Sequence, residues 1–292
     1  MKAIIFGITG QDGYYLEQLL EKNKIKVFGA SSKKSKSYEF IDLSNFKKVF
    51  EYIESITPDY IFCFSAISKT AHSEILENHK IINNGTLNIL ESIRIINPNC
   101  KIFIPGSAVQ FKLNNYPIDE HSLQYPNSPY AVDRIYTYNL SKYYRDIFGL
   151  KIYYGYLFHH DSPLRNQNHL SIEIIKKIKK LKDSGQNQLK IKNLNYTKEF
   201  NHAKDIVKAI WVFLSQDQVF EIVIGSGDPI SIKTFISLVL KEFGMDQNFQ
   251  FGHLGKELIV TCNPQMLKKM GWTPDYSIQG LIRDIILNGN IS

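Results

Sequence analysis

Short apolar runs alternate with segments of helical spacing through the first half of the chain, and this alternation constrains the fold most. The apolar runs lie at 3–6, 24–30, 59–68, 101–107 and 151–158, with a shorter one at 38–43. Helical spacing is found at 44–56, where Ser44 is the expected cap, and at 83–96 and 130–148. Continuous apolar strands alternating with helices are typical of a parallel sheet covered on both faces. We therefore predict an α/β fold with a doubly wound parallel sheet.

Three glycines lie between the first strand and its helix, in "AIIFGITGQDGYYL". A dinucleotide's pyrophosphate binds at the positive end of such a helix, and the backbone must come close to it. Gly7 would allow the tight turn, Gly10 the close approach and Gly13 the packing of helix on strand. In an alternating chain this pattern predicts a Rossmann dinucleotide-binding domain.

The pattern becomes less regular after residue 160. Basic helical segments and turns such as "GSGDP" and "GWTPD" replace the strand–helix alternation. We predict a dinucleotide-binding domain at 1–160 and a smaller mixed region that binds the substrate at 161–292. Part of 200–225 is expected to return to the sheet.

The residues after the second strand bear on the choice between NAD and NADP. An acidic residue there would bind the ribose hydroxyls of NAD, whereas cations would suit the 2′-phosphate of NADP. The chain has Ser31, Ser32, Lys33 and Lys34 and no acid nearby. The sequence therefore favours NADP as the cofactor, and NAD stays possible. The competing interpretation is that the lysines are only the solvent-exposed residues of a loop.

Composition excludes several classes of function. The net charge is +7, but the lysines of 174–183 alternate with an apolar helical face, and no zinc-finger or RNA-binding motif is present, so we expect no nucleic-acid partner. The three cysteines lack metal-ligand spacing, and no metal site is expected. No apolar stretch has the length of a membrane span and no signal peptide is recognised, so we expect a cytoplasmic protein without a membrane partner.

Several motifs resemble the GDP-mannose 4,6-dehydratase family of the extended short-chain dehydrogenase/reductase superfamily. They are "GITGQDGYYL", "SPYAVDRIYTYNLSKYYR", "LFHHDSPLR", "NHAKDIVKAIW" and the late "NPQMLKKMGWTPDYSIQGLI". The resemblance extends over nearly the whole chain. It implies a nucleotide-sugar substrate, bound NADP and a homodimer or tetramer. The dimer would be built partly by the helix of Tyr130, with Tyr136, Tyr138, Tyr143 and Tyr144 suited to that surface.

The family's Tyr-x-x-x-Lys pair is altered in this chain. Tyr130 matches the tyrosine, which acts as a general acid or base, but Arg134 replaces the lysine. A phenol ordinarily ionises near pH 10, and a neighbouring cation four residues along a helix favours the phenolate. Arginine supplies that charge, but its larger planar group needs more room. Ser107 matches the hydroxyl that bonds the reacting sugar oxygen.

The residue two positions after that hydroxyl decides the predicted reaction. The dehydratases have a glutamate there that helps to eliminate water, and this chain has Val109, which cannot transfer a proton. Hydride transfer at carbon 4 needs the tyrosine and the cofactor alone. We therefore favour a reductase or dehydrogenase acting at carbon 4 of a nucleotide sugar. A GDP-mannose dehydratase and a non-catalytic partner of an active homologue are the alternatives.

On the substrate side the motif "HHDSPLR" resembles the family's "NHESPRR". His159 stands in place of the asparagine, Leu164 in place of the first arginine, and Arg165 is kept. Lys198 stands where the family has an arginine. The residues expected to contact the substrate are Ser107, His159, Arg165 and Lys198. His202 and Asp205 are expected to hold the domain joint.

The expected cofactor contacts come from the glycine loop, the ends of the following strands and the catalytic helix. They are Gly7, Thr9, Gly10, Gln11, Asp12, Gly13, Ser32, Lys33, Asp42, Leu43, Ser65, Ala66, Tyr130 and Arg134.

Lys33 and Lys34 lead to a first testable expectation. NADP should bind at least about ten-fold more tightly than NAD, because a charged hydrogen bond to the 2′-phosphate contributes about 1.5–3 kcal/mol. Calorimetric titration of both nucleotides measures this. Changing both lysines to alanine should remove the preference, whereas changing Lys179 and Lys180 to alanine should not. Equal or tighter NAD binding by the unaltered chain contradicts the assignment.

Overall fold

Strands and helices alternate from the first residues onward. The computed structural model describes residues 1–32, 35–66, 70–166, 168–185, 188–189, 191, 194–245, 250–251, 255 and 257–291. The strands are β1 (Lys2–Phe6), β2 (Lys26–Ser31), β3 (Glu39–Phe40), β4 (Tyr60–Cys63), β5 (Lys101–Ser107), β6 (Lys151–Leu157), β7 (His160–Asp161), β8 (Gln188–Leu189), β9 (Tyr196–Lys198), β10 (Asn201–His202), β11 (Glu221–Ile224), β12 (Ile230–Ser231), β13 (Gln250–Phe251) and β14 (Leu258–Val260). The α-helices are α1 (Gln11–Lys22), α2 (Phe46–Ile56), α3 (Ile75–Asn78), α4 (Gly85–Ile96), α5 (Pro129–Phe148), α6 (Leu170–Ser184), α7 (Ala203–Leu214), α8 (Ile232–Glu242), α9 (Gln265–Lys269) and α10 (Ile278–Asn288). A π-helical turn, His79–Asn84, joins α3 to α4, and 3₁₀ turns lie at His72–Glu74 and Ala108–Gln110.

A parallel sheet of seven strands forms the centre of the protein, which confirms the predicted Rossmann fold. Its order is β11-β6-β5-β4-β1-β2-β3, and every neighbouring pair is parallel. The chain order reverses between β1 and β4, and sheets of this kind bind ligands in the crevice outside the carboxyl ends of the strands at such a point. The functional site is therefore expected at that edge.

Helices cover both faces of this sheet because alternate strand residues enter two different cores. Ile4 and Ile102 lie in the core beneath α2, α4 and α5, and Ile5 and Phe103 lie in the core beneath α1 and α7. All four side chains are fully buried. Continuous apolar strands are thus explained by burial on two faces rather than one.

The chain returns to the sheet after residue 200. Helix α7 packs against α1, and β11 pairs with β6 at the sheet's edge. A third apolar core lies between α6, α8 and α10, with Ile175, Phe235 and Ile282 among its buried members. The mixed sheet β12-β9-β14 and the pair β10-β7 complete the smaller part of the structure. The division at residue 160 stays a prediction.

Polar contacts at the start of α7 connect it to the C-terminal segment, and the role of His202 and Asp205 at a domain joint stays a prediction. The imidazole of His202 accepts a hydrogen bond from the backbone N–H of Lys204 (3.0 Å) and lies 2.8 Å from the Asp284 carboxylate on α10. The carboxylate of Asp205 accepts the backbone N–H groups of Asp275 and Tyr276 at 2.9 and 3.0 Å. These contacts tie α7 to the C-terminal segment.

Two local expectations were wrong. The cap of α2 is Asn45, whose side chain accepts the backbone N–H of Lys48 at 3.1 Å, whereas Ser44 donates to the Asp42 carboxylate instead. The apolar run at 59–68 gives a strand only from Tyr60 to Cys63. After Cys63 the backbone continues past the carboxyl end of β4, toward the cavity at that end of the sheet.

The tyrosines of α5 divide between surface and interior. Tyr136 and Tyr143 are 40% and 52% exposed, in keeping with the expected partner surface. Tyr144 is buried and donates to Glu91, and Tyr138 packs edge-on against the Tyr154 ring. The expectation that all four face a partner was therefore wrong for Tyr138 and Tyr144, because α5 is packed on the sheet along that face.

The lysine-rich helix α6 buries its apolar face, with Ile174, Ile175 and Ile178 covered. Within the described ranges no helix combines the length and the apolar character that crossing a membrane requires. The same part of the chain contains no cluster of histidine, cysteine or acidic side chains arranged to bind a metal ion.

Two helical glycines give opposite expectations for substitution by alanine. A Cβ on Gly13 would lie 2.5 Å from the carbonyl oxygen of Gly7 and 2.6 Å from Cα of Ile8, so Gly13→Ala should lower the free energy of unfolding by about 1–3 kcal/mol. A Cβ on Gly280 meets nothing nearer than 3.5 Å, so Gly280→Ala should raise it by up to about 1 kcal/mol. Urea unfolding measures both. A Gly13→Ala chain as stable as the original contradicts the close packing of α1 on the turn.

Candidate functional site

A cavity of about 380 Å³ lies at the carboxyl ends of β1, β5 and β6. The loop between β1 and α1 forms one wall, and the turn after β5 with the start of α5 forms another. The segment after β6, together with β9, closes the remaining side. The cavity therefore brings together residues more than 180 positions apart in the chain, from Gly10 to Lys198.

The glycine loop has the backbone geometry that a phosphate site requires. Gly7 has a φ of +86°, and a Cβ there would lie 2.7 Å from backbone atoms of Phe64 and Ser65. The N-cap of α1 is Gly10, which makes no side-chain cap hydrogen bond. The first N–H groups of a helix need an acceptor and attract an anion, so this terminus is open to a phosphate from the cavity side.

An ion pair connects this loop to the segment after β6. The His160 ring donates from Nδ1 to the carbonyl oxygen of Phe158 (2.7 Å), and its Nε2 lies 3.0 Å from an Asp12 oxygen. Burial disfavours charge on both groups, but each partner's charge outweighs it: the pKa of His160 is raised and the pKa of Asp12 is lowered. Beside this pair Ser162 donates to the Gln11 side chain at 2.7 Å.

Tyr130 and Arg134 lie on the first turns of α5, where Ser128 caps the helix and Pro129 begins it. The guanidinium carbon of Arg134 is 5.0 Å from the centre of the Tyr130 ring. Arg134 donates from one terminal nitrogen to the carbonyl oxygen of Pro105 at 2.7 Å. Its Nε is buried without a hydrogen-bond partner among the described residues. The cation is thus held against both the tyrosine ring and the strand that carries Ser107.

Ser107 ends β5 and is fixed by the turn that follows. Gln110 is fully buried and accepts the backbone N–H of Ser107 at 2.9 Å, so it has a structural role. Val109 is 37% exposed and lines the cavity. Among the described lining residues Asp12 is the one carboxylate, and it is paired with His160. No carboxylate in the described part of the cavity is free to replace a glutamate at position 109.

A buried carboxylate organises the other end of the cavity. Asp161 has no exposed side-chain surface; one oxygen lies 2.6 Å from His159 Nε2 and from Ser171 Oγ, and the other lies 3.3 Å from Arg165 Nε. Burial opposes its ionisation, but these neighbours hold the pKa of Asp161 well below its usual range. Burial lowers the pKa of His159 to about 4, aided by the charges of Lys198 and Arg165. His159 is therefore a neutral ring at pH 7.

Lys198 enters the same end of the cavity from β9. Its ammonium nitrogen is 4.9 Å from the centre of the Phe200 ring, and burial lowers its pKa to about 8. The neighbouring Glu199 is fully buried and accepts from Thr261 Oγ1 (2.8 Å), the backbone N–H of Cys262 (2.6 Å) and the Asn201 amide (3.1 Å). Glu199 therefore fixes the end of β9 so that Lys198 faces the cavity.

The structure places the predicted cofactor residues in two groups. The members that line the cavity are Gly10, Gln11, Asp12, Gly13, Ala66, Tyr130 and Arg134, and those outside its lining are Gly7, Thr9, Ser32, Asp42, Leu43 and Ser65. The second group follows the ends of β1 to β4, where Thr9 Oγ1 is 3.3 Å from Ser31 Oγ and Asp42 accepts from Ser44. Lys33 and Lys34 lie outside the described residues. All four predicted substrate residues, Ser107, His159, Arg165 and Lys198, line the cavity.

Sequence reasoning did not assign a role to His160, Ser162, His169 or Glu199. His169 lines the cavity, and burial lowers its pKa to about 4. The consecutive polar residues at 159–162 were the signal for His160 and Ser162, since an apolar strand ending in polar residues marks a sheet's functional edge. For Glu199 there was no signal, because two of its three donors, Thr261 and Cys262, come from residues distant in the sequence.

Comparison with known proteins places the chain among nucleotide-sugar enzymes. Residues 4–285 match the profile of the family described as GDP-mannose 4,6 dehydratase. The GDP-mannose 4,6-dehydratase of Vibrio cholerae is 27% identical over 98% of this chain and 93% of its own length. That of Yersinia enterocolitica is 28% identical over 98% of this chain and 81% of its own.

Solved structures share the fold at lower identity. RMD from Pseudomonas aeruginosa, solved with NADPH, superposes with a TM-score of 0.86 at 18% identity and 98% coverage of both chains. The UDP-glucose 4-epimerase of Thermus thermophilus, solved with NAD, gives a TM-score of 0.81 at 16% identity and 98% coverage of both. At these identities the likeness extends to the fold alone.

Proposed function

The chain belongs to the GDP-mannose 4,6-dehydratase family, an enzyme family, and from this premise we propose that it is an NADP-dependent enzyme transferring hydride at carbon 4 of a GDP-linked sugar. The observation that carries the proposal is Val109 in a cavity that contains Ser107, Tyr130 and Arg134. The serine and the tyrosine for exchanging hydride at a carbonyl are kept, with arginine in place of the lysine, and the glutamate that the resembled dehydratases use for elimination is not.

The glycine loop supports a dinucleotide cofactor. The uncapped N-terminus of α1 would hold the pyrophosphate, with Gly10 allowing its close approach and with Gly7 and Gly13 allowing the tight turn and the packing of α1 on it. Thr9, Ser32, Asp42 and Leu43 follow the strand ends along which the adenosine half would lie. When bound, NADP accepts or supplies the hydride. Two proteins of similar fold were solved with NADPH and NAD, in keeping with this class of cofactor.

Tyr130 and Ser107 would act on the oxygen at carbon 4. Tyr130 exchanges the proton of the hydroxyl or carbonyl, and Ser107 donates a hydrogen bond to the same oxygen. Arg134 places a permanent positive charge over the Tyr130 ring. Since Arg134 also donates to Pro105, its guanidinium is held in place before any ligand binds.

The cationic end of the cavity suits the sugar nucleotide's diphosphate. Arg165 and Lys198 both line it, and Asp161 offsets part of their charge. Burial makes such cations strong partners for an anion, because water competes less for them. His159 lies between these cations and the catalytic residues of the cavity.

A dehydratase is the second candidate. The relatives named GDP-mannose 4,6-dehydratase cover nearly the whole chain and favour it. Against it stands the absence of a free carboxylate among the described cavity residues.

Lys198 makes sugar-nucleotide binding depend on pH. A lysine with a pKa of about 8 is charged at pH 6.5 and mostly neutral at pH 8.5, so affinity for GDP-mannose should fall about four-fold between these values. Calorimetry measures the affinity. Lys198→Arg, which stays charged, should flatten the profile, and Lys208→Arg, at an exposed lysine paired with Asp275, should not. A profile of unchanged steepness in Lys198→Arg would show that another group titrates.

The proposed reaction is tested with two substrates. Incubation with GDP-mannose and NADP should form no keto product, whereas its 4-keto-6-deoxy product with NADPH should be reduced, as followed by NADPH absorbance and chromatography. Tyr130→Phe should slow the reduction by about 10²–10⁴ and leave cofactor affinity nearly intact. Keto product in the first incubation refutes the interpretation of Val109.

If neither incubation gives a product although nucleotide is bound, the result favours the non-catalytic partner or a different sugar as substrate. The double variant Val109→Glu, Arg134→Lys separates these two cases. A gain of dehydratase activity would show that the pocket already accepts GDP-mannose.

A further inference from the structure

His159 and Asp161 form a hydrogen-bonded acid–base pair inside the cavity. The His159 Nε2 lies 2.6 Å from an Asp161 oxygen, and a carboxylate can only accept, so Nε2 carries the proton. In the neutral ring the lone pair is therefore on Nδ1. Nδ1 has no hydrogen-bond partner among the residues that the structure describes, and the ring lines the cavity. The arrangement leaves one basic nitrogen free for a ligand.

Asp161 is built to hold this ring in one orientation. Ser171 donates to the oxygen that meets His159, at 2.6 Å, and Arg165 lies 3.3 Å from the other oxygen. The ring also packs edge-on against Phe200, with centroids 5.3 Å apart. A carboxylate that orients a histidine and stabilises its protonated form is the arrangement by which imidazole bases work in enzymes.

His159 and Val109 follow the carboxyl ends of two neighbouring strands. The last paired residues of β5 and β6 are Ser107 and Leu157; Val109 lies in the 3₁₀ turn after β5, and His159 lies two residues after Leu157. Both of these residues line the cavity. The cavity that lacks the family's proton carrier at position 109 thus contains a histidine at another position: the resembled family has asparagine where this chain has His159.

We infer that His159, oriented by Asp161, is a catalytic acid–base residue that removes and returns a proton at a carbon next to the sugar's carbon 4 carbonyl. This inference rests on the proposed function, because it needs a 4-keto sugar in the cavity. It adds a proton-transfer activity to the hydride transfer proposed above. Elimination of water would in addition require protonation of the leaving hydroxyl at carbon 6.

The proton transfer balances without any further reactant. The C–H bond next to the carbonyl breaks, its electron pair forms a C–C double bond, and the carbonyl electrons move to the oxygen at carbon 4. The proton goes to Nδ1 of His159. Ser107 and Tyr130 stabilise the enolate oxygen by hydrogen bonds. Return of a proton from Nδ1 restores the ketone, and because the imidazolium exchanges with water, the returned proton comes from solvent.

Charges around His159 suit this cycle. Burial, together with the charges of Lys198 and Arg165, disfavours its protonated form, which lowers the pKa of His159 and keeps the ring neutral while the cavity has no anion. A bound diphosphate would offset both cations, so that the ring can accept a proton when the sugar nucleotide is present. The carboxylate of Asp161 then pairs with the imidazolium.

The test is solvent deuterium exchange into the 4-keto-6-deoxy GDP-sugar. The full chain is incubated with this sugar and NADP in D₂O, where no hydride can be supplied, and mass spectrometry and NMR give the rate and the carbon. The expected result is incorporation next to carbon 4, well above the rate without enzyme. His159→Asn should lower the rate by about 10²–10⁴, and Asp161→Asn should lower it as well. His121→Asn changes an exposed histidine outside the cavity lining and should retain exchange.

Exchange and reduction are scored separately, with NADPH oxidation measured in parallel and melting curves checking that each variant is folded. NADPH oxidation without exchange in the original chain overturns the role of His159 and leaves the proposed function standing. Exchange that persists in His159→Asn also overturns it. Exchange without NADPH oxidation supports the acid–base pair and contradicts the reductase. Neither activity, with sugar nucleotide bound, overturns both.

Discussion

The close approach of α1 to the end of β1 determines where everything else in the site can lie. It depends on the missing side chains of Gly7 and Gly13, whose Cβ atoms would meet backbone within 2.7 Å. Backbone cannot move aside as a flexible side chain can, so the turn has one arrangement. That arrangement points the uncapped start of α1 at the cavity and sets Asp12 against His160. The turn thereby fixes both the proposed phosphate site and the segment that leads to the substrate end.

Buried ion pairs lie at both ends of the cavity. Removing these charges from water costs free energy, and a purely structural role would not explain that cost. Asp12 with His160, and Asp161 with His159 and Arg165, are paired polar groups in a largely apolar surrounding. Replacing buried ion pairs by apolar residues is often neutral or stabilising, so such pairs are weak contributors to stability. Their concentration around one cavity, with Lys198 beside them, is better explained by the binding of a charged ligand.

The sequence predicted the sheet well because its signals are local. Each of β1, β5 and β6 is a continuous apolar run, and burial on both faces requires that pattern. The glycine turn and the Tyr130–Arg134 spacing are also local, and both reach the cavity. The cap of α2 was misplaced by one residue, since Ser44 and Asn45 are both good caps and Asp42 decides between them by accepting from Ser44. Tyr138 and Tyr144 were misplaced because helical spacing alone does not show which tyrosines a sheet covers.

Contacts between distant segments were beyond the reach of sequence reasoning. The pairing of Asp12 with His160 joins residues 148 positions apart, and Glu199 is satisfied by donors from 261 and 262. Such pairs follow from the register of β6 and β9 in the folded sheets, which no local pattern encodes. The same holds for His159: its neighbour Asp161 was visible in the sequence, but the presence of His159 and Val109 in one cavity was not.

The departures from the family pattern are physically connected. Arg134 is longer than the lysine that it replaces, and its guanidinium reaches the Pro105 carbonyl on the strand that carries Ser107. The turn after that strand then presents Val109, an apolar side chain, to the cavity. An apolar residue there leaves proton transfer without a carrier on β5, and the adjacent end of β6 supplies an imidazole with a carboxylate behind it. Three substitutions that look independent in the sequence, Arg134, Val109 and His159, thus line one cavity. They bear on two functions, the positioning of the tyrosine and the transfer of a proton. The acid is missing at position 109 and the oriented histidine is at position 159, so the cavity contains a group able to carry a proton at a position other than the family's.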